Sequence, residues 1–179
     1  VNIPAYPRGH WMVPWISARA VGFPVNLGET SMEINHIVVA TDLSEEAARP
    51  YPDVADIARA RGSRVTILHV VEYVEALPHG APLAPPLPSP DLERRLEEAR
   101  QKLESQKVDF GDVPVKCDVI AGGNVAEAIA EYAERNHADM IAISTHGRSG
   151  FRHFVLGSVA EALLRHSTVP VLVFPLRRK

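Results

Sequence analysis

The residues of this chain best suited to hold a charged small molecule lie in one run, Ser144-Thr145-His146-Gly147-Arg148-Ser149-Gly150, which continues through 151–156 to Gly157-Ser158. Gly147, Gly150 and Gly157 carry no Cβ, so backbone there can come close to a ligand. A helix starting near Ser158 would turn its unpaired N–H groups and the Ser158 hydroxyl toward that turn, an arrangement that attracts phosphate. A plainer reading has equal standing on the residues alone: Gly147 and Gly150 shape a turn, and Ser158 is an ordinary N-cap paired with Glu161. Arg148 and Arg152 suit solvent as well as they suit phosphate. His146, beside the glycines, either meets a ligand or pins the turn. His69 sits inside an apolar run and reads as a hydrogen-bonded core residue.

Other chemistries leave no trace. G-x-x-x-x-G-K-[ST], G-x-S-x-G, H-E-x-x-H and S-G-G-x-D-S are all missing from the sequence, so a P-loop, a nucleophile elbow, a zinc protease helix and a pyrophosphatase loop are not expected. The 179 residues fit one domain and an appendage, 46% of them are apolar, and the net charge of -3 implies no electrostatic partner such as nucleic acid. Cys117 is the only cysteine. It permits neither an intrachain disulfide nor a cysteine-based zinc cluster, which suits a reducing compartment, and a cytoplasmic protein is expected. No stretch approaches the roughly 20 apolar residues of a membrane span.

The elements that must position the glycine run follow from periodicity. His36-Ile37-Val38-Val39-Ala40 reads as a buried strand ending at Thr41-Asp42. Ser44 can cap the helix after it, with Glu45 and Glu46 in the first turn, and Pro50 and Pro52 require that helix to kink or to restart near Tyr51 before stopping at Gly62. Val65 to Val71 is a second strand with almost no polar interruption, which implies a parallel sheet covered on both faces. From Asp91 to Lys107, Leu92, Leu96, Ala99 and Leu103 recur at helical spacing, and the charges between them read as a solvated face. A strand near Val115 to Ile120 leads through Gly122-Gly123 into a helix capped at Asn124; a fourth strand, Asp139 to Ile143, reaches Ser144; a helix begins around Ser158; and Val169 to Phe174 is the last strand. This alternation predicts an α/β fold, a doubly wound five-stranded parallel sheet with helices on both faces. Ligands in such sheets bind beyond the carboxyl ends of strands where the winding reverses, which nominates Asp42 and Ser144. Asp42 has its own plain reading as a turn cap.

Two stretches fall outside the pattern. Pro4, Pro7, Pro14 and Pro24 interrupt every apolar run before Met32, so residues 1–33 are expected to be an irregular extension, native or otherwise, and 34–176 the folded domain. Trp11 and Trp15 in that extension suit the covering of an apolar surface. Ala18-Arg19-Ala20 has the form of a signal cleavage site, but Val1 to Ile16 lacks both a charged start and a continuous apolar run, so secretion is not expected. Pro78, Pro82, Pro85, Pro86, Pro88 and Pro90 mark an exposed loop, extended in part.

The run from Ser144 to Ser158 resembles the nucleotide loop of the universal stress protein family, G-x-x-G, nine residues, then G and S or T. Gly147, nine intervening residues and Gly157-Ser158 match, while Ser144 stands where that pattern has its first glycine. Ile37 to Ser44 is similar to the family's first strand and turn, Leu68 to Val71 to its second strand, and Val169 to Val173 to its last, so the likeness spans residues 35–175. The resemblance implies a Rossmann-like domain and a stress-response sensor that binds ATP or AMP, with Mg²⁺ arriving on the nucleotide. It also implies a site made of Ala40, Thr41, Asp42, Val70, Val71, Ile143, Ser144, Gly147, Arg148, Gly150, Gly157, Ser158 and Val159. Ala40 replaces a proline frequent among nucleotide-binding members. With no evident general base, a binding protein rather than an enzyme is expected, the alternatives being a slow ATPase or a dimeric interaction module that binds no nucleotide. The apolar edge strand 169–174 implies a homodimer.

Overall fold

The sheet runs in the order β3-β2-β1-β4-β5, every neighbouring pair parallel. The computed structural model describes residues 33–73, 90–106, 110–145 and 156–175. The N-terminal segment through Met32, the proline-rich stretch 78–89, and His146, Gly147, Arg148, Gly150 and Arg152 of the glycine run lie outside the described residues.

β1 (His36–Thr41) is buried at all six positions, the signature of a central strand with both faces covered. α1 (Glu45–Ala48) starts where Ser44 Oγ accepts the N–H of Ala47 at 3.2 Å, and Glu45 and Glu46 stand in its first turn. The prolines decide between a kink and a restart. α2 (Tyr51–Arg61) is a separate helix with Pro52 in its first turn, where a missing N–H costs nothing, and it ends at Gly62 with φ of 69°. There the Gly62 N–H returns to Ala58 and Arg59, and a left-handed residue is needed. β2 (Arg64–Glu72), α3 (Pro90–Ser105) and β3 (Val115–Gly122) follow. α4 (Val125–Arg135) is capped by Asn124, whose side-chain oxygen accepts the N–H groups of Ala126 and Glu127. β4 (Met140–Ser144), α5 (Ser158–His166) and β5 (Val171–Phe174) complete the order. β5 is shorter than its apolar run because Val169 and Pro170 only lead into it; Pro170 still accepts the Ile141 N–H at 2.8 Å but has no N–H to give.

Two cores result. Ile37, Val39, Val65 and Ile67 on one face pack under α2 and α3, through Val54, Ala58, Ala99 and Leu103. Val38, Ala40, Leu68, Val70, Ile141 and Ile143 on the other pack under α4 and α5, through Ile129, Ala133, Ala160 and Leu163. Alternate residues of β1 therefore serve opposite cores, and each such Val or Ile stabilises the fold by about 1.5–3 kcal/mol.

Gly122 belongs to β3, opposite Glu72, rather than to the turn after it. A Cβ at Gly122 would lie 2.6 Å from Ala128 Cβ and 3.3 Å from Val70 Cγ1. The glycine is thus required by the close seat of α4 on β2 and β3. Gly122→Ala is expected to lower stability by about 1–3 kcal/mol in urea unfolding. In an Ala128→Gly background, which has its own cost of about 1 kcal/mol, that penalty shrinks. An unchanged midpoint for the single variant would refute the steric account.

Candidate functional site

The two central strands are β1 and β4, aligned Ile37 with Met140, Val38 with Ile141 and Val39 with Ala142. From β1 the chain crosses to β2 over one face, and from β4 it crosses to β5 over the other, so nothing is forced to fill the space beyond their carboxyl ends. A cleft of about 690 Å³ opens there, within the range of small-molecule sites.

The first wall is the turn after β1. Asp42 Oδ1 accepts from the Ser44 N–H at 3.0 Å and from the Ser44 hydroxyl at 2.6 Å, while Thr41 Oγ1 accepts the Leu43 N–H at 3.1 Å. The plain reading of Asp42 holds, since it orders the turn, and the residue also lines the cleft. His69 lies beside Thr41 in the β1–β2 register and donates from Nδ1 to the Thr41 carbonyl at 2.8 Å. It is the hydrogen-bonded strand residue expected, and it also borders the cleft.

The second wall is the start of α5. Gly157, with φ of -59° and ψ of 146°, is the N-cap and makes no side-chain cap bond. Ser158 is therefore not the N-cap paired with Glu161 that a plain reading suggests; it is the first helical residue, and its hydroxyl is not spent on capping. Glu161 N–H is the first amide to bond back into the helix, to the Gly157 carbonyl at 2.9 Å. The amides of Ser158, Val159 and Ala160 precede it without intrahelical acceptors, at the positive end of the helix dipole, and these three residues line the cleft.

Gly157 holds this wall to β4. Its N–H donates to the Thr145 carbonyl at 2.8 Å, and a Cβ on it would lie 2.7 Å from that same oxygen. The need is for space, not for an unusual φ. Thr145 in turn donates its N–H to the Phe174 carbonyl at 2.9 Å, so β4, β5 and α5 meet at one residue.

Ten of the expected site residues come together around the cleft. Ala40, Val70, Val71 and Ile143 supply apolar wall; Thr41, Asp42 and Ser144 supply polar groups; Gly157, Ser158 and Val159 supply the helix end. Gly147, Arg148 and Gly150 lie outside the described residues. Val125 and Ile129 of α4 extend the apolar wall, and Arg95, Glu98 and Lys102 of α3 form a charged flank. Sequence reasoning missed that flank, because the alternation of charge with apolar residues on α3 is what a solvated face also shows. Arg95 donates to the Glu72 carbonyl at 2.8 Å, fastening α3 to the end of β2. Among the described residues no group of three acidic, histidine or cysteine side chains could hold a metal ion.

A cleft lined by apolar side chains, a carboxylate and a helix N-terminus offers contacts to an apolar group, a hydrogen-bond donor and an anion. The sequence profile of the Universal stress protein family matches residues 33–175. The chain belongs to the universal stress protein family. It is 30% identical over 155 residues to universal stress protein MJ0577 of Methanocaldococcus jannaschii, covering 80% of this chain and 96% of that one. Universal stress protein A homolog 1 of Coxiella burnetii is 28% identical over 141 residues, 79% of this chain and 96% of the relative. The solved structure of MJ0577 superposes with a TM-score of 0.64 at 25% identity, over 82% of this chain and 99% of that one. A universal stress protein crystallised in complex with cAMP shares the fold, with a TM-score of 0.52 at 22% identity over 80% and 98% of the two chains.

The seam between β4 and α5 is thus closed by direct contact in this universal stress protein domain. Gly157→Ala is expected to force the Thr145 carbonyl away from the helix and to cost about 1–3 kcal/mol in urea unfolding. Gly157→Ala with the stability of the unaltered chain would show that the seam is not closed by contact.

Proposed function

We propose that this chain is a cytoplasmic, adenine-nucleotide-binding stress-response protein that acts as a homodimer and whose nucleotide occupancy, not turnover, is its output. The observation that carries the reading is the meeting of Asp42 and the α5 N-terminus across one apolar-walled cleft at the strand switch. In this arrangement Val70, Val71, Ala40 and Ile143 take the adenine ring, Asp42 accepts from the adenosine, and the amides of Ser158 and Val159 with the Ser158 hydroxyl take phosphate. Gly147, Arg148 and Gly150, which the family resemblance assigns to phosphate, lie outside the described residues. Mg²⁺ enters on the phosphates of ATP rather than through a protein cage. The cAMP complex of a protein sharing this fold is consistent with adenine as the base.

The dimer forms through β5. Order places it at the sheet edge, its four residues are half-buried, and Leu164 on neighbouring α5 is 51% exposed. An apolar edge with unpaired backbone groups is ready to pair with a second copy.

Nucleotide-stripped full-length protein titrated calorimetrically with AMP, and with ATP and Mg²⁺, is expected to bind either ligand, and Asp42→Ala to weaken both by about tenfold, as for a lost hydrogen bond to a charged group. No binding at millimolar ligand would overturn this reading in favour of a dimeric interaction module, and phosphate release abolished by Asp42→Ala would favour an ATPase. Light scattering at micromolar protein is expected to give the mass of two chains; a monomer would refute the β5 interface.

A further inference from the structure

Leu43 has φ of 64°, in the left-handed region that bulky residues rarely enter, and is only 4% exposed. Three contacts hold the turn there. Leu43 N–H donates to Thr41 Oγ1, Leu43 C=O accepts from Gln106 Nε2 at 2.9 Å, and the next amide, that of Ser44, donates to Asp42 Oδ1 at 3.0 Å. The last two belong to a single peptide unit. Because that unit is planar, fixing its carbonyl also fixes its N–H, so the residue that grips the Leu43 oxygen sets the direction of one of the donors that orient the Asp42 carboxylate, beside the Ser44 hydroxyl at 2.6 Å. Gln106 follows the last turn of α3, its own N–H bonded to Lys102 and Leu103 at 3.2 Å each. Its Oε1 is buried with no hydrogen-bond partner among the described residues, so the amide is kept at this place despite an unmet acceptor.

We propose that Gln106 is a positioning residue for the ligand site: through the Leu43–Ser44 peptide it sets where Asp42 stands in the cleft, and by the same link the occupied cleft steadies the end of α3. The inference rests on Asp42 meeting nucleotide, as proposed above. Coupling of this kind is reciprocal: if Gln106 helps nucleotide bind, bound nucleotide must stabilise the contact that Gln106 makes. The α3 C-terminus is then an element whose stability reports occupancy.

The test uses the full chain, AMP as the probe and Gln106→Met, which keeps side-chain length and removes the donor. The variant is expected to bind AMP about three- to tenfold more weakly by calorimetry. By hydrogen exchange, AMP is expected to slow the amides of 103–106 in the unaltered protein but not in the variant, while the first turn of α5 is protected in both. A general loss of structure would weaken protection at α5 as well. Equal AMP affinity in the two proteins, with AMP binding intact, would overturn the positioning role and leave the nucleotide reading standing. Absence of AMP binding to the unaltered protein would overturn both. Should the variant fail to fold, the unaltered protein decides alone: no slowing at 103–106 on AMP addition, with α5 protected, would refute the link.

Discussion

Parallel pairing of β1 with β4 at the centre of the sheet is the constraint from which the rest follows. Each must leave the sheet through a crossover, and right-handed crossovers running in opposite directions put α2 and α3 on one face and α4 and α5 on the other. The amino ends of the two strands can still be tied together. Asp139, just before β4, accepts the N–H groups of Asn35 and His36 at 2.7 and 3.0 Å, and buried His36 bonds to Thr66 Oγ1 through Nε2 at 2.9 Å. Burial, and then the Arg64 charge, lower the His36 pKa from its ordinary value and favour the neutral ring. Among the described residues the carboxyl ends show no such closure, and the chain departs from them to opposite sides. One end of the sheet is a sealed polar knot and the other is a cleft.

Much of this was legible in the sequence because the signals were local or periodic. Unbroken apolar runs identified central parallel strands, Ser44 and Asn124 marked helix starts, and Gly62 marked a stop, each through bonds made within a few residues. The two prolines at 50 and 52 left a kink and a restart equally open, and only the backbone between Ala48 and Tyr51 resolves it as a restart. Ten of the expected residues gather at the cleft for a different reason: the strand ends and the Gly157-Ser158 helix start lie on the elements that the switch point brings together. The α3 flank was not. Arg95, Glu98 and Lys102 reach the cleft because the fold lays α3 beside the end of β2, and no pattern on the helix itself separates charges facing a cleft from charges facing water.

The glycine spacing that identified the family joins positions with unlike physical grounds. At 157 the protein's own packing excludes a side chain, since a Cβ would press on the Thr145 carbonyl 2.7 Å away whether or not a ligand is present. At 144 no such demand exists. Ser144 is an ordinary strand residue of β4, paired with Phe174, and is not among the positive-φ residues, so neither backbone conformation nor the parallel ladder calls for glycine. What a glycine at this position would spare is space at the strand end, on the cleft side. Serine at this position is therefore compatible with the strand ladder and adds a side chain to the cleft wall. The added Cβ takes room, and the added hydroxyl offers a donor and an acceptor in a wall otherwise built from Ala40, Val70 and Ile143. A side chain at position 144 thus bears on the cleft wall while meeting no demand for glycine from the strand backbone.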